Sequence, residues 1–257
     1  MLVVYFSGTG NTEYLAKTFA AELNAECISI ETEIDFTKKF QAHEQIAFCY
    51  PIYGSRVPRI MRDFVLQHQA EIISKKLVIF ATQMIFSGDG SRVFTDLFVP
   101  NEVEVIYTEH FNMPNNICNT PMLRPPSNGK LEKYQKKIRL KVAHVAKDIM
   151  CGTVKKRGFS NVSKMLGNIQ GKPWINRIER RAKNGIKFHD DCTKCGICIQ
   201  VCPMKNLVIA NGKMQQLGDC TVCYRCINKC PKQAITVFIH RRPKWQYHGI
   251  NKTRGEN

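Results

Sequence analysis

Hydrophobic and polar positions along the 257-residue chain fall into blocks of two kinds. Short, nearly continuous apolar runs at residues 2–6 (LVVYF), 27–30, 46–50, 77–82 and 103–108 predict five strands. Helical spacing lies between them. Tyr14, Leu15, Thr18, Phe19 and Leu23 place a helix over Thr12–Leu23. Val57-Pro58 opens another through Ile60, Met61, Phe64 and Val65, since Pro suits a helix start. A further helix is expected after Ser87-Gly-Asp-Gly90, running to about Phe98. Strands alternating with helices imply a doubly wound parallel sheet with right-handed crossovers. Strands that are apolar throughout, rather than alternating, imply burial on both faces. Residues 112–129 are rich in Pro and Asn and read as loop. Leu131, Tyr134, Ile138, Val142, Val145 and Ile149 then form the stripe of a long helix over Lys130–Cys151, ended by Gly152.

Charge divides the chain after this first part. Residues 1–120 carry 9 Lys and Arg against 14 Asp and Glu, a net of −5; residues 121–257 carry 29 against 7, a net of +22. The overall +17 therefore hides two electrically different parts. Residues 153–190, with 10 basic and 2 acidic residues, read as a connector with one or two short helices, the better one at Pro173–Lys183. The parts are expected to be a first domain at 1–152, a basic connector at 153–187, a cysteine-rich domain at 188–238 and a basic, partly mobile tail at 239–257. No apolar run approaches the ~18 residues of a membrane span. The first residues lack a basic segment followed by a long apolar run, so a soluble, cytoplasmic protein is expected.

Cysteine changes the picture most. Eight of the twelve lie between Cys192 and Cys230, in two blocks that repeat at a 28-residue offset, each Cys-x2-Cys-x2-Cys-x3-Cys-Pro. In a reducing compartment such clusters read as metal ligands rather than disulfides. Paired zinc sites also use Cys-x2-Cys, but not usually three cysteines in a row followed by x3-Cys-Pro. The spacing is that of bacterial two-cluster 4Fe–4S ferredoxins, which residues 188–238 resemble, with an α+β fold implied. In that family the fourth cysteine of each block serves the other cluster. The resemblance thus implies Cys192, Cys195, Cys198 and Cys230 for one cluster, and Cys220, Cys223, Cys226 and Cys202 for the other. With thiolate ligands throughout, low reduction potentials are expected. Of the remaining cysteines, Cys27 and Cys49 fall in predicted strands and read as small buried hydrophobes. Cys118 falls in a loop, with nothing beside it to activate it.

The segment Ser7-Gly8-Thr9-Gly10-Asn11-Thr12 joins the first strand to the first helix. Backbone N–H groups and hydroxyls there point at a helix N-terminus, a natural phosphate cradle. It lacks the Gly-Lys-Ser/Thr ending of a P-loop and the G-x-G-x-x-G form of a dinucleotide fold. It resembles the flavodoxin phosphate loop, and residues 1–152 match that family's order of elements. The resemblance implies strand order 2-1-3-4-5 and FMN as ligand. It places Pro51, Ile52, Tyr53 and Gly54, with Gln83, Ser87, Gly88 and Gly90, beside the isoalloxazine ring, Tyr53 being the stacking aromatic. The loop Asn112–Asn115 is expected near the ring or the clusters.

The whole chain thus resembles flavodoxin–ferredoxin fusion proteins of anaerobic prokaryotes. That implies an electron-transfer protein relaying between FMN, two 4Fe–4S clusters and an external, acidic redox partner drawn to the basic half. A flavin-dependent reductase with its own small acceptor is the alternative within enzymes. A nucleic-acid-binding or regulatory protein with sensing clusters, binding through the basic connector, is a third reading, set behind the others because the cysteine repeat needs no such partner. Trp174 and Trp245 stand among basic residues and read as packing anchors.

Overall fold

The computed structural model describes residues 1–120, 123, 124 and 126–251, with the backbone alone for 172–176. The first domain runs β1 (Leu2–Tyr5), α1 (Asn11–Glu22), β2 (Glu26–Ser29), α2 (Phe36–Gln41), β3 (Gln45–Pro51), α3 (Arg59–Gln67), α4 (Gln69–Ile73), β4 (Lys76–Gln83), β5 (Glu104–Asn112), α5 (Asn128–Met150) and β6 (Lys155–Lys156). Between Gly90 and Phe98 the expected helix is a single 3-10 stretch, Arg92–Leu97. All the strands pair in parallel, in the order β2-β1-β3-β4-β5-β6.

Five strands are where the apolar runs put them. The sixth is a correction. Lys155–Lys156 is too short and too polar to show a strand pattern, and it joins the sheet edge through Tyr107 and Thr108. Charge holds it there: buried Glu109 on β5 pairs with Lys155 at 3.1 Å and Arg157 at 2.7 Å on one side, and with Lys141 of α5 at 3.1 Å on the other.

Alternate strand residues serve two cores. Leu2, Val4, Phe48, Tyr50, Ile79 and Ala81 face α2, α3 and the 3-10 stretch. Val3, Tyr5, Ala47, Cys49, Val78 and Phe80 face α1 and α5. Burial on both faces removes the polar alternation of a one-sided sheet, which is why these strands read as continuous apolar runs.

The connector forms α6 (Asn161–Gln170), capped by Ser160 accepting from the Ser163 amide, and α7 (Lys172–Ala182). The second domain has β7 (Ile186–Phe188), α8 (Ile197–Gln200), β8 (Leu207–Ala210), β9 (Lys213–Gln216), α9 (Arg225–Lys229) and β10 (Ile235–Val237). β10 pairs antiparallel with β7, and β8 with β9. The tail is not loose through residue 251. Tyr247 and Ile250 are buried in the α1–α5 core, the Tyr247 hydroxyl donates to Asn11 Oδ1 at 2.5 Å, and Gln135 donates to the Ile250 carbonyl. Residues 252–257 of the tail and the Trp174 side chain lie outside the described residues.

Candidate functional site: a loop-lined cavity beneath two cysteine sets

The chain leaves β1 at Tyr5 and turns through Ser7–Gly10 into α1. Gly10 takes φ +95°, which favours glycine, and its amide donates to Ser7 Oγ at 3.1 Å. The turn brings the open N-terminus of α1 to the carboxyl end of the sheet. Thr12 Oγ1 lies 2.7 Å from Thr82 Oγ1, and Asn11 Nδ2 donates to the Pro114 carbonyl at 2.8 Å, so those two side chains fix the loop to β4 and to the segment after β5.

Three loops converge here on a cavity of about 300 Å³, the low end of the usual ligand-pocket range. Ser7, Gly8, Thr9, Asn11, Thr12, Pro51, Ile52, Tyr53, Gly54 and Gln83 all line it. Gly10 caps the helix and faces a neighbouring cleft of about 760 Å³ on the other side of the loop. Ser87, Gly88 and Gly90 do not line the cavity. Ser87 Oγ bonds back to Gln83 Oε1, Tyr50 donates to the Gly90 carbonyl at 2.9 Å, and Gly88 backs onto α6. Their turn is held against Gln83, Tyr50 and α6 instead of lining the cavity.

Two buried polar atoms of cavity-lining side chains have no hydrogen-bond partner among the described residues: Thr9 Oγ1 and the Tyr53 hydroxyl. A buried hydroxyl left unpaired costs about 1–3 kcal/mol, so such atoms mark where a ligand's acceptors belong. Burial pushes the Tyr53 phenol well above its ordinary pKa, which keeps it a donor.

The roof comes from elsewhere in the sequence. Met113, Pro114 and Asn115 line the cavity, as the Asn112–Asn115 expectation has it, joined by Asn116 and Ile117. Val222, Tyr224 and Phe238 of the cysteine domain close it. No motif marked these last three. The available signal is the 28-residue repeat: Gly196 of the first block, at φ +78°, corresponds to Tyr224 of the second, at φ +60°. A tyrosine held where the repeat has a glycine is strained backbone that tertiary contacts must support.

The cysteine blocks share backbone geometry as well as spacing. Lys194 and Val222, then Lys205 and Gln233, take positive φ in register. The Asn206 amide donates to Cys202 Sγ and the Ala234 amide to Cys230 Sγ, both at 3.3 Å, and the Val222 amide does the same for Cys220. The last cysteine of each block interacts with thiols of the other block: Cys230 with Cys198, and Cys202 with Cys226. The electrostatic neighbours of Cys198 are Cys192, Cys230 and Cys195; those of Cys226 are Cys223, Cys220, Cys202 and, least, Cys198. The first set lines a small cavity with Lys194 and Lys232.

Among the described residues no three His, Cys, Asp or Glu side chains converge closely enough for a single metal ion. Burial, with neighbouring thiols adding to it, raises Cys198 to about 11, and burial raises Cys223 to about 12 against the pull of Arg225. Thiols so placed become ligands when metal charge displaces their protons. Backbone donors aimed at sulfur suit iron–sulfur ligation. Cys195 is exposed, whereas Cys223 and Cys226 are buried. Cys49 is buried in the sheet as expected, Cys27 is half-buried, and Cys118, expected in an open loop, is buried beneath the cysteine domain.

Comparison with known proteins gives this architecture a family. A model described as a flavodoxin domain matches residues 2–148. The chain belongs to the flavodoxin domain family. A 4Fe-4S dicluster domain model matches residues 185–231. Among solved structures, the flavodoxin domain is similar to two-electron reduced Megasphaera elsdenii flavodoxin (22% identity, 56% of this chain, 99% of that one, TM-score 0.39). It is also similar to oxidised flavodoxin 2 from Bacillus cereus (16% identity, 56% and 94% of the two chains, TM-score 0.38). No curated protein matches the chain. The two matched domains make this an electron-transfer flavo-iron–sulfur protein, with FMN implied by the flavodoxin domain and 4Fe–4S clusters by the dicluster domain.

Proposed function

We propose that the chain is an internal electron relay joining FMN, two 4Fe–4S clusters and an external redox partner. FMN would be held in the 300 Å³ cavity by the Ser7–Thr12 loop, Pro51–Gly54 and Gln83, and the clusters by the two crossed thiol sets. When bound, FMN exchanges one or two electrons and each cluster exchanges one.

One observation supports this reading above the others: the second cysteine block is seated on the phosphate loop. A Cβ on Gly8 would lie 2.7 Å from the Cys223 carbonyl oxygen, so only glycine allows that approach. Arg225, between ligands Cys223 and Cys226, donates to the Ser7 carbonyl at 2.7 Å and the Gly8 carbonyl at 3.0 Å. It also grips both Glu31 carboxylate oxygens at 2.7 Å. The set with Cys223 is therefore innermost, against the cavity, and the set with exposed Cys195 is outermost. Exposed Lys194 and Lys232 rim the outer set, a surface suited to an acidic redox protein.

Val222, Tyr224 and Phe238 close the cavity with residues of the cysteine domain, which favours electron exchange with that domain over a separate small acceptor. The deciding experiment is a count of acid-released flavin and of iron in anaerobically purified protein. One FMN and about eight iron atoms per chain are expected. No flavin after reloading would overturn the relay and leave an iron–sulfur protein with a vacant partner domain.

A further inference from the structure

Helix α6 is packed inside out. Its small residues face the protein: a Cβ on Gly88 would lie 2.6 Å from the Gly167 amide and 3.0 Å from the Ser163 carbonyl, and one on Gly171 would lie 2.9 Å from the Gly54 carbonyl. Ser163, Gly167 and Gly171, four residues apart, thus form the docking stripe. The large apolar side chains are left outside. Val162, Met165, Leu166 and Ile169 recur at helical spacing and are 63%, 56%, 36% and 65% exposed. Ile85 and Phe86, in the loop after β4, are 70% and 48% exposed, and Gln170 joins that loop by donating to the Phe86 carbonyl. A helix of a globular protein normally turns such a stripe inward. A continuous exposed one marks an interaction surface.

Charge and shape say what covers it. Residues 153–172 contain no Asp or Glu; Lys155 and Arg157 pair with Glu109, and Lys156 and Lys164 are left exposed. In a two-fold dimer another copy would bring the same basic, acid-free segment against this one. The side chains protrude instead of lining a groove, which suits insertion between lipid headgroups better than capture of a peptide. We propose that α6 and the Ile85–Phe86 loop dock this protein on an anionic membrane surface, apolar side chains in the headgroup–acyl boundary and basic residues on the lipid phosphates. The attachment is monotopic, since among the described residues no helix is long and apolar enough to cross a membrane. Met84, next to Ile85, lines the proposed FMN cavity, so the docked face lies beside that cavity's mouth.

The test is co-sedimentation of the cofactor-loaded full chain with vesicles. Phosphatidylcholine vesicles are compared with vesicles carrying about 30% phosphatidylglycerol, alongside the double variant Met165→Ser, Ile169→Ser. Binding to the anionic vesicles is expected, with roughly tenfold weaker binding by the variant while its flavin and iron–sulfur absorbance is retained. Binding that the variant leaves unchanged would overturn the proposal in favour of adsorption by surface charge. No binding, with a dimer in light scattering that the variant dissolves, would assign the face to a second copy. No binding by a monomer would overturn the proposal as well and assign the face to a protein partner.

Discussion

At the scale of single residues, contact distances decide which positions tolerate change. A methyl group at Gly8 meets the Cys223 carbonyl and the Tyr53 hydroxyl, and the carbonyl is backbone that cannot swing away. Gly8→Ala should cost about 1–3 kcal/mol and lower FMN retention; Gly129→Ala, with nothing within 4 Å, should be neutral or slightly stabilising. Thermal melts with flavin counts compare the two. The neighbours Glu109 and His110 make stability acid-sensitive. Burial opposes ionisation of Glu109, but the His110 amide, Lys141 and Arg157 outweigh it and hold the carboxylate at about 2. Burial, then Arg157, lowers His110 from 6.5 to about 4. Both folded values are depressed, so both contributions are complete at neutral pH and are lost on acidification. The His110 share goes between 6.5 and about 4, and the Glu109 share between 4.5 and about 2. Urea midpoints should therefore fall as pH drops below 6.5. A midpoint flat down to pH 4 would refute the His110 assignment.

At the scale of elements, the connector shows why pattern and structure part company. The sequence offers a strand signal nowhere in 153–157, yet β6 forms because Glu109 draws Lys155 and Arg157 to the sheet edge. Removing one partner of a buried ion cluster leaves uncompensated charge. Glu109→Gln should thus cost about 3 kcal/mol and raise hydrogen exchange across 155–160 more than across β1 or β3. Helix α6 depends on contact rather than charge. A Cβ on Gly167 would overlap the Asp89 carboxylate, so Gly167→Ala should lift α6 from the Gly88–Asp89 turn. The expected signature is faster exchange through 161–170, with the flavin spectrum kept. Unchanged exchange would mean that the helix is held by something other than this stripe.

At the scale of the whole molecule, the domains are joined by long-range polar contacts. Arg225 reaches Glu31 and the phosphate loop, Arg59 pairs with Asp219 at 3.0 Å, Arg62 with Glu179 at 2.6 Å, and Asn119 donates to the Val237 and Ile239 carbonyls. The chain should unfold in one transition, and Arg225→Gln should separate flavin loss from cluster loss in a calorimetric scan. Toward other proteins the outer thiol set presents Lys194 and Lys232. Replacing both with Glu should slow exchange with an acidic redox protein about tenfold at low salt, and the difference should shrink as salt screens it. Stopped-flow rates at two ionic strengths check this.

Local chemistry and spacing were enough to write down much of this protein. The apolar runs announce strands buried on both faces because burial acts on each residue where it stands. The Ser7–Thr12 turn is legible as a candidate anion cradle because four glycine- and hydroxyl-bearing positions, Ser7, Gly8, Thr9 and Gly10, run straight into a helix N-terminus. The cysteine blocks announce cluster ligation because ligand spacing is set by the metal group itself. Contacts between elements were decided only in three dimensions. Nothing near Val222 or Tyr224 says that they close a cavity more than 100 residues away in sequence from its floor. Tyr247 looked like part of a loose tail until its hydroxyl met Asn11. Periodicity reports that a helix such as α6 has two faces; which face turns inward depends on the surface it meets, and here that surface, Gly54–Ser55 and Gly88–Asp89, has room only for Ser163, Gly167 and Gly171.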